Sequence, residues 1–214
     1  MTDPTAFVRA NTVPARPALV PEIELLLASE ITPIWQATED WLRETGTEPP
    51  FWAFAWPGSI ALARYILDHP ASVAGRRVLD FAAGCGLAAI AADRAGAASV
   101  EAAEIDPLAT AAIALNAGRN GTTVVATCAD VVGSPCRWDL ILCGDVCYEA
   151  PMTAHILPWL QEMAGAAEVW VADPGRAYLP RTGLGVFAAY TVPTTVELED
   201  RRERQVTLAR LAPA

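Results

Sequence analysis

A carboxylate followed by a glycine-bearing turn, Asp80-Phe81-Ala82-Ala83-Gly84-Cys85-Gly86, separates a short apolar run, Arg77-Val78-Leu79, from a long alanine-rich segment, Leu87 to Gly96. That succession reads as strand, loop and helix. Glycines let the backbone approach a ligand closely, and the first N–H groups of the following helix are free to donate to it. A second apolar run ends in an acid, Ser99-Val100-Glu101-Ala102-Ala103-Glu104, with Ile105-Asp106-Pro107 after it. An acid at the end of a second strand can hold both hydroxyls of a ribose. The loop and Glu104 together predict a site for an adenosine-type cofactor.

Two cofactors fit such a loop. Gly84-Cys85-Gly86-Leu87-Ala88-Ala89 matches the dinucleotide pattern G-x-G-x-x-[GA], with Glu104 as the ribose acid. Asp80 separates the alternatives. A dinucleotide fold runs from its strand into the glycines to seat a pyrophosphate, which an anion at Asp80 would repel. The same anion suits the ammonium and sulfonium of S-adenosylmethionine, so this cofactor is expected and NAD is not. The spacing D-x-x-x-G-x-G resembles the first motif of class I methyltransferases. That resemblance implies cofactor contacts from Asp80, Ala82, Gly84 and Gly86, from Glu104 and Ile105, and from Cys143 at the end of the fourth strand. It also implies contacts from Asp130 and Val131, an acid for the adenine amino group with an apolar neighbour against the ring. Asp130 has a plain alternative as a helix or loop cap.

Strands are expected near 77–81, 99–104, 122–127, 138–143 and 167–172, and helices near 59–67, 86–96, 107–119 and 151–164. Alternation of this kind implies an α/β fold with a mainly parallel sheet and right-handed crossovers. Tyr190 to Glu199 and Arg204 to Leu211 read as a terminal hairpin, whose charges from Glu199 to Arg204 form a solvated end. The expected fold is therefore a seven-stranded Rossmann-like methyltransferase sheet with a C-terminal antiparallel hairpin. Before it, residues 1–20, with Pro4, Pro14 and Pro17, read as an extended tail. Residues 21–70 read as a helical addition: one helix from Pro21 to Ile31, a second from Thr32-Pro33 to about Thr45, and an aromatic segment, Phe51-Trp52-Ala53-Phe54-Ala55-Trp56-Pro57-Gly58. The methyltransferase domain is expected over 71–214.

A formal charge of −10 argues against a nucleic-acid partner and suits a basic substrate. No apolar run is long enough to span a membrane, and the first residues lack the basic and apolar regions of a signal peptide. The expected location is the cytoplasm, as a monomer. Five cysteines without a C-x-x-C pair, and only two histidines, argue against a metal site. Cys143 and Cys147 flank a strand end and could line a pocket, though small core residues are the plainer reading.

The fourth strand ends in Gly144-Asp145-Val146-Cys147-Tyr148-Glu149. Ligands of open α/β sheets sit beyond the carboxyl ends of the strands, so Asp145 and Tyr148 are expected in the same crevice as Asp80 and Glu104. A carboxylate and a phenol there can orient an amine and accept its proton. Asp145-Val146-Cys147-Tyr148 resembles the D-x-x-Y motif of the seven-strand protein methyltransferases of family 16. With Leu19-Val20-Pro21-Glu22-Ile23, Pro33-Ile34-Trp35 and Pro50 to Gly58, the chain is similar to the branch acting on a lysine of the electron transfer flavoprotein β-subunit. The resemblance implies that Asp145 and Tyr148 are catalytic and face the lysine, and that Trp56 lies beside the cofactor. Cys147 departs from it, a bulkier aromatic being usual there. Two rivals are a methyltransferase for a small amine and a non-catalytic cofactor-binding module; a polar pair at the methyl end has no use in the second. Asp173-Pro174-Gly175-Arg176 closes the fifth strand; it could reach the substrate side, though a structural loop is the plainer reading.

Overall fold

The computed structural model describes residues 3–29 and 50–214. In chain order the elements are α1 (Pro4–Asn11), β1 (Val13–Ala15), β2 (Leu25–Leu27), α2 (Pro57–Asp68), β3 (Arg77–Phe81), α3 (Leu87–Arg94), β4 (Ser99–Glu104), α4 (Pro107–Arg119), β5 (Val125–Cys128), β6 (Leu140–Gly144), α5 (Ala150–Met163), β7 (Glu168–Asp173), β8 (Leu184–Pro193), α6 (Val196–Glu199) and β9 (Glu203–Leu211). Seven strands form one sheet in the order β5-β4-β3-β6-β7-β9-β8. The first five of that row are parallel, and β9 and β8 add antiparallel. This is the Rossmann-like methyltransferase sheet. The order reverses beside β3, which pairs with β4 on one side and β6 on the other, and that reversal opens a crevice at the carboxyl ends of these strands.

Successive strand residues face opposite sides, which builds two cores on one sheet. Val78, Leu140, Leu142, Trp170 and Ala172 pack against α2 and α3. Leu79, Phe81, Ile141, Cys143, Val169 and Val171 pack against α5 with Trp138 and Trp159. Because both faces are covered, β6 is apolar almost throughout, as central parallel strands are. Cys147 is buried in the second core, so the departure there changes core packing. Among the described residues, no helix is long and apolar enough to cross a membrane.

The N-terminal region differs from expectation. Residues 4–11 form a helix where an extended tail is expected: Pro4 occupies the first turn, and the Asp3 side chain accepts from Thr5 N–H. Over residues 21–29 the expected helix is replaced by a turn and by β2, which pairs antiparallel with β1 (Val13 opposite Leu27). The apolar run that reads as a helix face is instead a strand whose Leu25 and Leu26 enter separate cores. The expected helix from Thr32 to about Thr45 lies outside the described residues. At the other end, the hairpin strand stops at Pro193, and residues 196–199 form one helical turn.

Asn116 on α4 ties this N-terminal region to the glycine loop. Fully buried, it accepts from Leu26 N–H at 2.7 Å and donates to the Cys85 carbonyl at 2.9 Å. Beside it, Asn120 accepts from Glu24 N–H and donates to the Glu24 carbonyl. Replacing Asn116 by Ala strands a buried N–H and a buried C=O together, and each orphan costs about 1–3 kcal/mol. Asn116→Ala is expected to lower unfolding free energy by about 2–4 kcal/mol in urea titration. A change under about 0.5 kcal/mol would mean that water replaces both bonds.

Candidate active site

The loop after β3 is shaped by three left-handed residues, Ala82 (φ 51°), Gly84 (φ 54°) and Gly86 (φ 79°). Gly86 also allows α3 to start close to α4, since a Cβ there would stand 3.2 Å from Ile113. At Gly84 a Cβ would meet nothing within 4 Å, because that face looks into a cavity. Glu104 comes from the end of β4 and accepts from Gly84 N–H at 2.7 Å and from Ile105 N–H at 3.2 Å. Burial pushes its carboxyl above the ordinary value. Ile105, next to it, is 73% exposed, an apolar side chain left uncovered at the cavity edge. Asp106 turns the chain into α4 by capping Leu108 N–H.

Asp80 does not line this cavity. It lies beneath the loop, fully buried, with Oδ2 accepting from Ala89 N–H at 2.9 Å. The residue at the N-cap of α3 is Gly86, which has no side chain to offer, so a strand acid from below satisfies the helix end instead. Burial, with the nearby Glu104 charge adding to it, pushes the Asp80 carboxyl up to about 8. At neutral pH it is mostly protonated. The expectation of an anion facing the cofactor's positive groups is corrected accordingly.

The far wall is built at the ends of β6 and β7. Asp145 is 6% exposed and has the left-handed φ of 57°, uncommon for a non-glycine residue. Its Oδ2 accepts a short bond from Gly58 N–H at the start of α2. Its Oδ1 accepts from Arg176 Nε at 3.0 Å and Nη2 at 2.7 Å. Burial pushes its carboxyl up to about 6, against the pull of the Arg176 charge. Tyr148 stacks at a tilt on Phe51, ring centroids 5.3 Å apart, and burial raises its phenol above the ordinary value. The Trp56 indole donates to the Phe51 carbonyl at 2.8 Å, which fixes its ring on the same wall.

One cavity of about 1040 Å³ gathers Trp56, Ala82, Gly84, Glu104, Ile105, Asp130, Val131, Asp145 and Tyr148. Asp80, Gly86 and Cys143 stay outside its lining, as supports from below. Asp130 accepts from Val132 N–H at 2.9 Å and meets His155 Nε2 at 2.9 Å, an α5 residue not singled out by sequence. Arg176, whose loop could reach the substrate side but reads more plainly as structural, enters the cavity and bridges Asp145 to Glu199. Glu199 in turn is only 3% exposed, not a solvated hairpin end.

Comparison with known proteins agrees with this architecture. Residues 62–144 match the family of ribosomal protein L11 methyltransferase (PrmA). The electron transfer flavoprotein beta subunit lysine methyltransferase of Danio rerio is 38% identical over 191 residues, covering 86% of this chain and 73% of its own length. That of Mus musculus is 36% identical over 204 residues, covering 91% and 79%. Among solved structures, a ribosomal protein L11 methylase from Lactobacillus delbrueckii subsp. bulgaricus superposes with a TM-score of 0.52 at 22% identity, covering 75% of this chain and 81% of that one. Magnesium protoporphyrin IX methyltransferase from Synechocystis PCC 6803, with bound S-adenosylmethionine, gives 0.53 at 13% identity, covering 86% and 100%. At these identities the structural likeness speaks to the fold.

The buried acid under the loop has a consequence for stability. The unfolded chain releases the Asp80 proton near its ordinary value of 3.8, and the folded chain keeps it until about 8. The folded form therefore holds the extra proton between these values, and the Asp80 contribution to stability declines as pH rises through that window. The slope is at most about 1.4 kcal/mol per pH unit. Asp80→Asn is expected to lose this component, so that its urea midpoints vary less than wild type between pH 5 and 8. Parallel pH profiles for the two proteins would contradict a neutral Asp80.

Proposed function

The chain belongs to the electron transfer flavoprotein β-subunit lysine methyltransferases and is an S-adenosylmethionine-dependent methyltransferase; on that premise we propose that it methylates a lysine of the electron transfer flavoprotein β-subunit of its own cell. The observation that carries the substrate side is the meeting of Asp145, Tyr148 and Trp56 in the cavity that also holds the glycine loop and Glu104.

The residues fit the cofactor. Glu104 stands at the rim with acceptor capacity beyond its two backbone bonds. The exposed Ile105 offers a face for an adenine ring, and Asp130 offers an acceptor for the amino group. Gly84 leaves room for the amino-acid part. When bound, S-adenosylmethionine supplies a methyl group on a positively charged sulfur. The chain's task is to bring a lysine nitrogen in line with it, without its third proton and away from water. Asp145 attracts the incoming ammonium and, with a carboxyl near 6, accepts a hydrogen bond from the amine or its proton. Tyr148, kept neutral, orients the same nitrogen by its hydroxyl, and Phe51 and Trp56 wall off solvent.

We place the enzyme in the cytoplasm, as a monomer acting on protein and not on nucleic acid. The charge of −10 supports a basic protein segment as substrate. The five cysteines, all free thiols, suit a reducing compartment.

The test is methyl transfer to the purified β-subunit, with mass spectrometry of the product. The chain contains no lysine, so any methyl-lysine recovered comes from the substrate. Methyl-lysine on the subunit is expected; transfer to small amines alone would overturn the reading. Asp145→Asn is expected to slow the initial rate roughly a hundredfold, about 2–4 kcal/mol. Its affinity for S-adenosylhomocysteine should stay near wild type. Tyr148→Phe, which leaves the ring on Phe51, tests the hydroxyl alone and should also slow transfer. Glu104→Ala should instead weaken S-adenosylhomocysteine binding by about 1–3 kcal/mol in calorimetry. Unchanged affinity would move the ribose contact elsewhere.

A further inference from the structure

We propose that Arg176 is a positioning residue for methyl transfer: clamped between Asp145 and Glu199, it fixes the Asp145 carboxyl group at the end of β6 and keeps it charged within a desolvated wall. The proposal rests on Asp145 being the acid that faces the lysine.

The geometry is that of a built device. Arg176 places Nε and Nη2 on one oxygen of Asp145, and Nη1 and Nη2 on Glu199 at 3.2 and 2.5 Å. Glu199 is held from behind by Arg204, whose Nε meets its carboxylate at 2.8 Å and whose Nη2 meets its carbonyl at 2.9 Å. Asp173 fixes the loop that carries Arg176, its Oδ1 accepting from the N–H groups of Gly175 at 2.7 Å and Arg176 at 2.6 Å. The guanidinium also stands 5.8 Å from the Trp56 ring centroid. Two acids and two arginines make a quartet of zero net charge, three of whose members come from the C-terminal part of the chain.

Such an arrangement does more than brace a loop. A buried carboxylate with no cation beside it protonates, and a protonated Asp145 neither attracts an ammonium nor accepts its proton. The groups around Asp145 are Gly58 N–H from α2, Asp173 from β7, Arg176 from the following loop, Glu199 from α6, Arg204 behind it on β9, and Tyr148 on its own turn. Of these only Arg176 is a cation in direct contact. Asp173, an acid, acts the other way. The planar fork also sets direction, which an ammonium cannot do equally well.

The deciding experiment follows the Asp145 carboxyl by carbon NMR across pH, assigned by its loss in Asp145→Asn, in wild type, Arg176→Gln and Arg176→Lys, each saturated with S-adenosylhomocysteine. The wild-type midpoint is expected near 6. In Arg176→Gln it should rise by roughly one pH unit or more. The acid limb of kcat/KM on the flavoprotein subunit should move with it, so that the deficit is roughly threefold or more near pH 6.5, grows toward tenfold or more below pH 6 and shrinks toward pH 9. Arg176→Lys should recover most of the limb while lowering kcat, because charge returns without the fork. Affinity for S-adenosylhomocysteine should stay within about threefold in each case, as the clamp lies on the substrate side. An unmoved midpoint, or a loss equal at every pH, would reduce Arg176 to a structural brace and overturn the proposal. Should Arg176→Gln fail to fold, a lysine variant with wild-type midpoint and wild-type kcat would overturn it equally. Failure of wild type to methylate the subunit would refute the substrate reading, while the carboxyl titration still decides the role of Arg176.

Discussion

The start of α2 meets the ends of β6 and β7 with no room for a side chain. A Cβ on Gly144 would stand 2.7 Å from Ser59 Oγ and 2.8 Å from Ser59 N, and one on Gly58 would stand 2.8 Å from Asp145 N. Backbone therefore lies on backbone, and Gly58 N–H can reach the Asp145 carboxylate directly. The segment before α2 is fixed by the same contact. Phe51 and Trp56, joined by the indole bond, are carried to the wall of the cavity that Glu104 also lines. The aromatic segment thus lines the cavity because two glycines let its helix sit flush on the sheet.

The acids at the strand ends have been given different tasks by their surroundings. Asp80 has a backbone N–H and no cation, so burial wins and it serves as a mostly neutral cap beneath the loop. Asp145 is almost as buried, yet has Arg176 on one oxygen and Gly58 N–H on the other, and its carboxyl rises much less. Glu104 reaches the rim, where its two backbone bonds hold the glycine loop against β4. What separates these roles is the presence of a cation and the path to water, the two terms that govern a buried carboxyl.

Much of the architecture was legible because it is written in local periods. The runs 77–81, 99–104 and 107–119 end within a residue or two of their observed bounds, since strand alternation, Asp106 as cap and Pro107 in the first turn are all short-range signals. The same Asp-Pro start stands at Asp3-Pro4, where the neighbouring prolines suggested a tail and hid it. Leu25–Leu27 failed for another reason. An apolar triplet has no period of its own, and only pairing with Val13–Ala15 and the bond from Leu26 N–H to Asn116 make it a strand.

The sequence alone determined the alternating α/β order, the glycine turn with Glu104 one strand later, and the acid and phenol spaced three apart after the fourth strand. Each depends on residues within a turn or a strand of one another, so spacing suffices to predict it. The tertiary structure alone decided that Arg176 meets Asp145, 31 residues away, and Glu199, 23 residues away, and that Asn116 joins β2 to the glycine loop. It also decided that Asp80 points down into the helix end and not up into the cavity. Such partners are chosen by which side chains the folded sheet brings within hydrogen-bond reach and out of water, and no local pattern along the chain encodes that distance.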